Sequence, residues 1–423
     1  MISNKFVAID LGSTRISAMA GEIQEDGFLK ISGVESKPAD DIRYGLVEQS
    51  SGAAFKLNEI IRLLENSARI QEIEYISVSV GAKSMRNVPV TVSQFIGASK
   101  MVAETLIDKM ITEAEGKIRG ENVAVYDVIP LWYELDGKRM DDPVGKQGTQ
   151  LIGRYNVVYG NSLIAEKLEG CFERTGKVIE YRCLGVDALA TAVLDEHERD
   201  NGCALINFGG LTTTLSIFEH GALQQLVVVP LGGKTITKDI QEFGINEKNA
   251  ERLKCAVGKA LESLVHDEIY VSVAASDPEL PAVKISSKML AMAIEARMDE
   301  IMSPIFDAID TYTGNINQGI ILTGGGALMN GISEYLTERT GYKVRFGHYT
   351  DWLADKTNPE FINPIYAQMV GTLLLNHEYR EHHPLVEIEK DKSKNKNKGP
   401  KIPRGGAITN MMKKFFEDEN KLE

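Results

Sequence analysis

The sequence predicts an α/β protein built from two related lobes. Two strand–turn–strand segments, at 6–18 and 204–217, follow one plan: an apolar strand, Asp or Asn, one apolar residue, glycine, a small polar turn and a second apolar strand. Asp10 and Asn207 hold equivalent places in the two copies. A unit repeated at such a distance indicates two facing lobes of common design. The length of 423 residues agrees, because it exceeds what one compact core accommodates.

Helical periodicity fills the intervals between the predicted strands. Apolar residues recur every three or four positions, as in amphipathic helices, over 54–67, 100–118, 163–175, 184–198 and 290–312. A third glycine turn, at Gly324, Gly325 and Gly326, follows an apolar strand and leads into a helix around 332–339. This alternation of strands and helices is typical of α/β folds.

The stretch from 85 to 161 interrupts the strand–helix order of the first lobe and has the pattern of a small α/β unit of its own. The second lobe and the end of the chain divide further by composition. The predicted segments are 1–84 and 162–200 (core of lobe 1), 85–161 (inserted subdomain), 201–233 and 299–384 (core of lobe 2), 234–298 (small subdomain of lobe 2), 385–405 (linker) and 406–423 (amphipathic helix).

Composition narrows the class of protein. The net charge of −13 argues against a nucleic-acid binder, because neutralising phosphates needs a basic face. No apolar run approaches the roughly 18–20 residues of a membrane span. The opening MISNKFVAIDLG meets Asp10 after four apolar residues, so we expect no signal peptide there. We therefore expect a cytoplasmic protein in which no segment crosses a membrane.

The last residues carry a separate signal. Between 385 and 405 the chain has almost no apolar residues, which predicts a disordered linker. The closing segment has an apolar stripe with helical spacing and two adjacent lysines, typical of a helix lying on an anionic membrane surface. The predicted membrane-contacting residues are Ile408, Met411, Met412, Lys413, Lys414, Phe415 and Phe416. Docking of this stripe on the protein's own body or in a partner's groove is the alternative.

The glycine turns have a chemical use. Glycine lets backbone N–H groups approach phosphate oxygens, Ser13 and Thr14 can donate hydrogen bonds, and Asp10 can hold Mg²⁺ through water. The first hairpin alone is equally consistent with an ordinary glycine turn. Three such turns in this order favour a phosphate site. Other phosphate patterns fail, because Val228 stands where a Walker loop ending at Gly232–Thr235 needs glycine.

These three turns resemble the phosphate-1, phosphate-2 and adenosine motifs of the actin/Hsp70/sugar-kinase superfamily. More narrowly, the chain resembles the FtsA family of bacterial cell-division proteins from end to end. That resemblance is carried by Val128-Ile129-Pro130, Leu135-Asp136-Gly137 and Asp142-Pro143-Val144-Gly145 in the inserted unit, by CFERTGKV at 171–178, by 235–240 and by the closing segment. It implies a two-lobed actin-like ATPase fold of duplicated RNase H-like lobes, with an α/β subdomain inserted in lobe 1.

The resemblance also implies site residues for ATP and Mg²⁺. Asp10 would organise the metal, and Asp187 and Asn207 would have catalytic parts, Asp187 by ordering the attacking water. A solvated helix residue is an equally good interpretation of Asp187. The implied nucleotide-binding residues are Asp10, Gly12, Ser13, Thr14, Arg15, Gly209, Gly210, Thr212, Gly232, Gly233, Glu251, Lys254, Glu295, Gly324, Gly325 and Gly326.

Two residues depart from the phosphate-2 pattern of the superfamily. Asn207 stands where Asp is usual, and an amide cannot accept a proton or neutralise a metal ion. Leu211 replaces a glycine, so a side chain stands where backbone should approach phosphate, and leucine resists positive φ. We therefore expect ATP binding with weak or absent hydrolysis.

The function implied by the resemblance is that of an actin-like polymer at the division site. Such a protein would lie on the cytoplasmic face of the bacterial inner membrane as a peripheral protein, and would bind FtsZ and other division proteins. FtsZ would dock on the small subdomain, roughly 234–298. The alternatives are an actin-like pilus-assembly adaptor, for which the long linker and amphipathic tail are unusual, and a small-molecule kinase, for which Asn207 is unsuitable as a base.

Overall fold

The computed structural model describes residues 5–383 except 356. Its strands are β1 (Phe6–Leu11), β2 (Arg15–Ile23), β3 (Leu29–Pro38), β4 (Ile42–Arg43), β5 (Leu46–Val47), β6 (Tyr75–Val80), β7 (Arg86–Met101), β8 (Val123–Leu135), β9 (Lys138–Met140), β10 (Gln147–Asn161), β11 (Val178–Leu184), β12 (Cys203–Phe208), β13 (Thr213–Glu219), β14 (Ala222–Val229), β15 (Tyr270–Val273), β16 (Val283–Ser286), β17 (Ile320–Thr323) and β18 (Val344–Phe346). The predicted linker (385–405) and amphipathic helix (406–423) lie outside the described residues.

Ten α-helices occur within the described part of the chain. They are α1 (Ser50–Ser67), α2 (Glu104–Gly116), α3 (Leu163–Thr175), α4 (Gly185–Val193), α5 (Glu196–Asn201), α6 (Gly233–Gln241), α7 (Glu247–Val257), α8 (Ser287–Thr311), α9 (Ile332–Thr340) and α10 (Ala367–His382). None of the helices that the structure describes combines the length and the apolar character that spanning a bilayer requires.

Two five-stranded sheets of the same topology form the two lobes, and they confirm the predicted duplication. The first has the order β3-β2-β1-β6-β11 and the second the order β14-β13-β12-β17-β18. In each, three antiparallel strands adjoin a parallel set. One buried apolar core lies around the first sheet and continues into residues of β12, β13, β14 and β17, and a second core lies within the second lobe. The two segments that share a sequence pattern therefore form equivalent strands in two sheets of the same strand order and direction.

The equivalent polar residues of the repeat hold equivalent register positions. Asp10 pairs with Ser17 near the end of β1, and Asn207 pairs with Thr214 near the end of β12. The apolar residues before them are buried, since both strands lie inside their sheets. Each polar residue therefore stands where its strand emerges from the core and the glycine turn begins.

The residues between β6 and α3 form a separate sheet with its own core. Its strand order is β7-β10-β8-β9, and α2 packs on one face. Val92, Met110, Leu151 and Tyr155 are buried together there. An independent core of this kind explains why this stretch of sequence has a pattern of its own.

Helix periodicity predicted α3 to the residue, but the single helix predicted over 184–198 is wrong. The chain forms α4 and α5 instead, with a break at Leu194 and Asp195. The Asp195 carboxylate accepts the backbone N–H of Glu198 at 2.7 Å, and the Glu198 carboxylate accepts that of Asp195 at 3.0 Å. This reciprocal capping box starts a new helix, because it satisfies N–H groups that would otherwise lack partners.

The chain passes from lobe 1 to lobe 2 through α4 and α5, and it returns to lobe 1 through α10. Helices α4 and α10 pack closely against each other. Gly371 on α10 faces the backbone of α4: a Cβ there would lie 1.7 Å from the carbonyl oxygen of Ala188. The two connections can touch only because position 371 has no side chain.

We expect Gly371→Ala to lower the free energy of unfolding by about 1–3 kcal/mol or more, because the new methyl group must push the two helices apart. Urea denaturation followed by far-ultraviolet circular dichroism measures the change. Gly116→Ala at the end of α2 is the matched control, since no atom lies within 4 Å of its added Cβ. Equal stability of the two variants would contradict the close packing of α4 on α10.

Candidate functional site

A cleft of about 950 Å³ separates the two lobes, and all three glycine turns open onto it. Strand ends from both sheets meet at this cleft, as the equivalent placement of Asp10 and Asn207 requires. Fifteen of the residues predicted from the sequence line it: Asp10, Gly12, Ser13, Thr14, Arg15, Asn207, Gly209, Gly210, Thr212, Gly233, Glu251, Lys254, Gly324, Gly325 and Gly326.

The turn of the first lobe lies between β1 and β2. The hydroxyl oxygen of Ser13 accepts the backbone N–H of Gly45 at 3.2 Å, which leaves its own hydrogen available for an anion in the cleft. The carbonyl oxygen of Thr14 accepts the N–H of Ala39 at 3.2 Å. These two bonds anchor the turn to neighbouring backbone, so its outward N–H groups are held in one arrangement.

Asp10 is a partly buried carboxylate with an amide donor. Gln368, in the first turn of α10, donates from Nε2 to Asp10 Oδ1 at 3.1 Å and to Ser79 Oγ at 2.8 Å. Burial raises the pKa of Asp10 to about 6, and the positive charge of Arg15 only partly opposes this effect. The carboxylate is therefore short of positive charge in the absence of a bound cation.

This shortage fits a role beside Mg²⁺. Mg²⁺ commonly keeps several waters and takes one or two protein carboxylates together with substrate phosphates. In the described part of the chain no three His, Cys, Asp or Glu side chains cluster as a complete metal cage. The donor set thus suits a phosphate-bound Mg²⁺ with Asp10 holding one of its waters.

The turn of the second lobe approaches the first across the cleft. The N–H of Gly209 donates to the carbonyl oxygen of Thr212 at 2.9 Å, which closes a tight turn after β12. A Cβ at Gly210 would lie 2.1 Å from Cγ2 of Thr14. The two turns are therefore near contact, and glycine at 210 is what allows it. Oxygens of one phosphate chain could reach both.

The second turn is supported from behind by the start of α6. The N–H of Gly233 donates to the carbonyl oxygen of Gly209 at 3.0 Å, and that of Lys234 to Gly210 at 2.8 Å. Gly232 lies beneath the turn, where a Cβ would be 2.5 Å from the oxygen of Gly209, and it does not line the cleft. The first residues of α6 therefore hold the turn in place. The amino-terminal end of α6, which carries the positive end of the helix dipole, lies at the cleft beside this turn.

Lys254 is a buried side chain that ties α7 to α6. Its Nζ donates to the carbonyl oxygen of Gly233 at 2.9 Å, to Thr237 Oγ1 at 2.9 Å and to Glu251 Oε2 at 2.8 Å. Burial alone would raise the pKa of Glu251, but the donors on Lys254 and Thr237 bring it below its ordinary value. This ionised pair forms a polar wall beside the second turn.

The third glycine turn forms the opposite wall. Gly324 has φ +89°, and a Cβ there would lie 2.4 Å from Asn207 Oδ1, so glycine is required by both conformation and space. The turn continues into a single 3₁₀ turn, Gly325–Leu328. Leu328, Met329 and Ile365 add apolar lining here. A flat apolar ring could therefore pack on this wall while a charged chain reaches the two turns.

Two further predicted residues lie away from the lining of the cleft. Glu295 accepts the N–H of Glu262 at 2.7 Å and the guanidinium of Arg339 at 2.8 Å, which joins α8 to its neighbours. Asp187 is buried on α4; burial and the nearby Asp127 raise its pKa above its ordinary value, although Arg199 acts in the opposite direction. The predicted ordering of an attacking water by Asp187 gains no support from this placement.

The two departures from the phosphate-2 pattern both face the cleft. Asn207 and Leu211 are among its lining residues. Leu211 is not one of the five non-glycine residues with positive φ in the described part of the chain, so the expected backbone strain at this position is wrong. What distinguishes Leu211 from glycine here is the volume of its side chain.

Gln368 and Ser79 line the cleft beside Asp10 but were not predicted from the sequence. They come from α10 and β6, and no local pattern marks either residue. Lys234 also lines the cleft; it forms an ion pair with Glu247. Its helix-start position after Gly232-Gly233 is a signal that could have identified it.

Comparisons with known proteins agree with this geometry. A model of the family described as "Cell division protein FtsA" matches residues 204–371. Among curated proteins, "Cell division protein FtsA" of Borreliella burgdorferi is 27% identical over 406 residues, covering 94% of this chain and 97% of the relative. The protein of the same description from Escherichia coli K12 is 26% identical, covering 97% and 98%.

Solved structures support the fold. The chain is similar to one in the "PilM-PilN type IV pilus biogenesis complex" (TM-score 0.62, 16% identity, 87% of this chain and 97% of that one). It is similar to MreB5 of Spiroplasma citri bound to ADP (0.56, 13%, 90% and 98%). It is also similar to the "MamK double helical filament" (0.51, 13%, 89% and 99%). The architecture is therefore the two-lobed actin-like ATPase fold predicted from the sequence.

Proposed function

We propose that this chain is a member of the FtsA family of actin-like cell-division proteins, which its similarity to that family supports. In this proposal it binds ATP with Mg²⁺, polymerises on the inner membrane face and tethers FtsZ filaments there. The observation that carries the nucleotide part of this proposal is the meeting of three glycine turns around the partly buried carboxylate of Asp10. The carboxy-terminal stripe carries the membrane part.

In the proposed complex, the turns at 12–14 and 209–212 hold the phosphates and the wall at Gly324–Gly326 holds the adenosine. Mg²⁺ neutralises phosphate charge when bound, and Asp10 holds it through water. Gln368 keeps the Asp10 carboxylate directed by its hydrogen bond at 3.1 Å. MreB5 of Spiroplasma citri, which has the same fold, has been solved bound to ADP, and this supports a nucleotide in the equivalent cleft.

We propose that the folded body assembles with copies of itself. A solved neighbour of the same fold, MamK, is described as a double helical filament. A polymer would present many carboxy-terminal segments to one surface. Because a single short amphipathic helix binds weakly, joining many of them raises the effective concentration of each at the membrane. Polymerisation and attachment would therefore support each other.

The small subdomain of lobe 2 offers a surface for an FtsZ peptide. Around the short ribbon β15–β16 and the start of α8, Tyr270, Leu280, Met289 and Met292 are all more than half exposed. Met289 and Met292 are three residues apart on α8, so their exposed side chains lie on one face of the helix. Exposed apolar patches are typical of interaction sites, and methionine adapts to a partner's shape. We propose that the carboxy-terminal peptide of FtsZ docks there.

The test of the proposed function is co-sedimentation with vesicles. The full chain, FtsZ and ATP–Mg²⁺ are mixed with vesicles containing anionic phospholipid, and pelleted protein is quantified. We expect FtsZ to pellet with the vesicles only when this protein is present. FtsZ that stays in the supernatant in its presence would contradict the tethering function.

The docking surface gives a specific expectation. Met289→Glu with Met292→Glu should weaken FtsZ binding at least tenfold, because it places two charges in an apolar contact. Vesicle binding by the protein itself should be unchanged. Glu300→Gln with Asp307→Gln, on the exposed side of α8, is a control that alters the same helix. Unchanged FtsZ pelleting with the methionine variant would place the docking surface elsewhere.

Weak turnover follows from Asn207 and Leu211 in this proposal. The double variant Asn207→Asp with Leu211→Gly should raise Mg²⁺-dependent ATP hydrolysis at least about tenfold, since a charged partner near a metal commonly contributes that much. Phosphate release over time measures it, with both single variants as controls. A double variant no faster than the unaltered protein would show that other groups limit turnover.

The pilus-assembly adaptor remains the second possibility for this fold, because the PilM-containing complex is a solved neighbour. The sequence relatives named above favour cell division. A kinase is favoured by no observation: Asn207 offers no base, and Asp187 does not line the cleft.

A further inference from the structure

A second cleft, of about 560 Å³, lies on the seam between the inserted subdomain and lobe 2. One wall comes from β7, β8, β9 and β10, and the other from the β13–β14 hairpin and the end of α8. Of the described residues, Leu226 alone lines both this cleft and the interlobe cleft. The seam cleft is therefore a separate site on the far side of β14.

The seam cleft is basic although the chain as a whole carries a charge of −13. Arg139, Arg154 and His220 line it, and its described lining contains no Asp or Glu. Within the described residues neither guanidinium has an ion-pair partner; even Glu134, the register partner of Arg139, makes no salt bridge with it. Two exposed, uncompensated arginines in an acidic protein indicate attraction for an anion.

Glu219, which precedes the cleft residue His220 in the chain, is already engaged in hydrogen bonds. Glu219 lies 3.9 Å from the His220 ring, between Oε1 and Nε2. Its carboxylate accepts the Tyr312 hydroxyl at 2.7 Å and two donors of Asn315 at 2.8 and 3.0 Å. The two arginines supply the charge available to a ligand.

An aromatic side chain lies between the arginines. Trp132 and Arg154 are direct register partners on β8 and β10, so their side chains lie close on one face of the sheet. The Arg139 guanidinium lies 5.0 Å from the centroid of the Trp132 ring. This stacking holds Arg139 over the ring while leaving its N–H groups able to bind an anion.

Side-chain hydrogen bonds join the two walls at the floor of the cleft. Asn87 donates to the carbonyl oxygen of Gln224 at 2.9 Å and accepts the N–H of Leu226 at 2.8 Å. Asn156 donates to the carbonyl oxygen of Leu223 at 2.7 Å. Because β14 is an edge strand, these amides take the place of a neighbouring strand. A ligand in the cleft would contact both the inserted subdomain and lobe 2, which these hydrogen bonds already join.

We propose that the seam cleft binds an acidic peptide segment of a protein partner. Arginine and tryptophan are the residue types concentrated in the energetic centres of protein interfaces. The arginine fork matches carboxylates in pairs. Both arginines are exposed, so the cleft suits an extended chain lying across it, with carboxylates on Arg139 and Arg154 and an apolar side chain against Trp132. The proposal does not rest on nucleotide binding or membrane attachment.

The test uses the intrinsic fluorescence of Trp132. The chain has two tryptophans, so Trp352→Phe in the full-length protein leaves Trp132 as the sole reporter. Octaglutamate is titrated at low salt. We expect a saturable change in fluorescence, weakened at least tenfold by Arg139→Gln with Arg154→Gln. Arg62→Gln with Arg119→Gln, which removes the same charge from exposed sites elsewhere, should leave the affinity unchanged.

Inorganic tripolyphosphate is titrated in parallel to distinguish the ligand class. The proposal is overturned if octaglutamate gives no saturable change, or if the double variants at the cleft and at the control sites bind it equally. It is also overturned if tripolyphosphate binds to the arginines while octaglutamate does not, because the site would then be one for phosphate.

Discussion

Replacing Asp10 with alanine is expected to weaken the binding of Mg²⁺–ATP at least tenfold, or about 1.4 kcal/mol. The reason is that this partly buried carboxylate lies at the meeting point of the phosphate turns, where the charge of Arg15 only partly offsets the effect of burial on its pKa. Titration with a fluorescent ATP analogue and Mg²⁺ measures the effect. Asp307→Ala, on the exposed side of α8, is the control for loss of one charge.

The pH dependence of Mg²⁺–ATP binding distinguishes the effect of the charge of Asp10 from the effect of the shape of its side chain. The pKa of Asp10 is raised to about 6, so below that pH a proton must leave before the carboxylate can serve Mg²⁺. Affinity should fall up to tenfold for each pH unit below about 6. Asp10→Asn keeps the shape but cannot titrate, and it should retain only the dependence due to the nucleotide's own phosphates. Identical pH profiles for the two proteins, or unchanged affinity in Asp10→Ala, would contradict the assignment.

Phe415→Glu with Phe416→Glu is expected to release the protein almost completely from anionic vesicles. The two rings supply the largest apolar area of the predicted stripe, and each glutamate adds charge of the same sign as the headgroups. Each Lys near such a surface contributes about 1 kcal/mol, so Lys413 and Lys414 alone give weak binding. Flotation of the full-length protein in a density gradient measures the fraction bound.

A matched control separates lost apolar area from added charge. Asn410→Glu with Asn420→Glu adds the same two charges at polar positions of the segment. This control should float nearly as well as the unaltered protein. FtsZ pelleting should fail with the phenylalanine variant and persist with the control. A phenylalanine variant that floats as well as the unaltered protein would mean that another part of the chain attaches it to the membrane.

The sequence was sufficient for the parts of the site that depend on strand order. Asp10, Asn207 and the glycines after them end strands that lie in equivalent places, and strand ends of this kind meet at one edge of each sheet. These positions could be predicted from local sequence, because an apolar strand followed by Asp or Asn and a glycine turn forms a recognisable pattern of neighbouring residues. The broken helix at Asp195 was also readable, since Asp195 and Glu198 have the spacing of a capping box.

The remaining parts of the site depend on contacts between distant residues. Gln368 reaches Asp10 and Ser79 only because α10 returns to lobe 1 at the end of the fold. The withdrawal of Asp187 into the protein likewise follows from its packing near Asp127 and Arg199. Neither arrangement has a periodic or turn signal. Resemblance to a family supplied Glu295 and Asp187 as site residues, whereas the structure places both away from the cleft lining.

The most direct test of the account is a crystal structure of the full chain grown with ATP and Mg²⁺. We expect the phosphates against the backbone at 12–14 and 209–210, the base on the wall formed by Gly324, Gly325 and Gly326, and a metal-bound water within hydrogen-bonding distance of Asp10. A nucleotide bound outside the interlobe cleft, or a cleft that stays empty at saturating ATP, would contradict it.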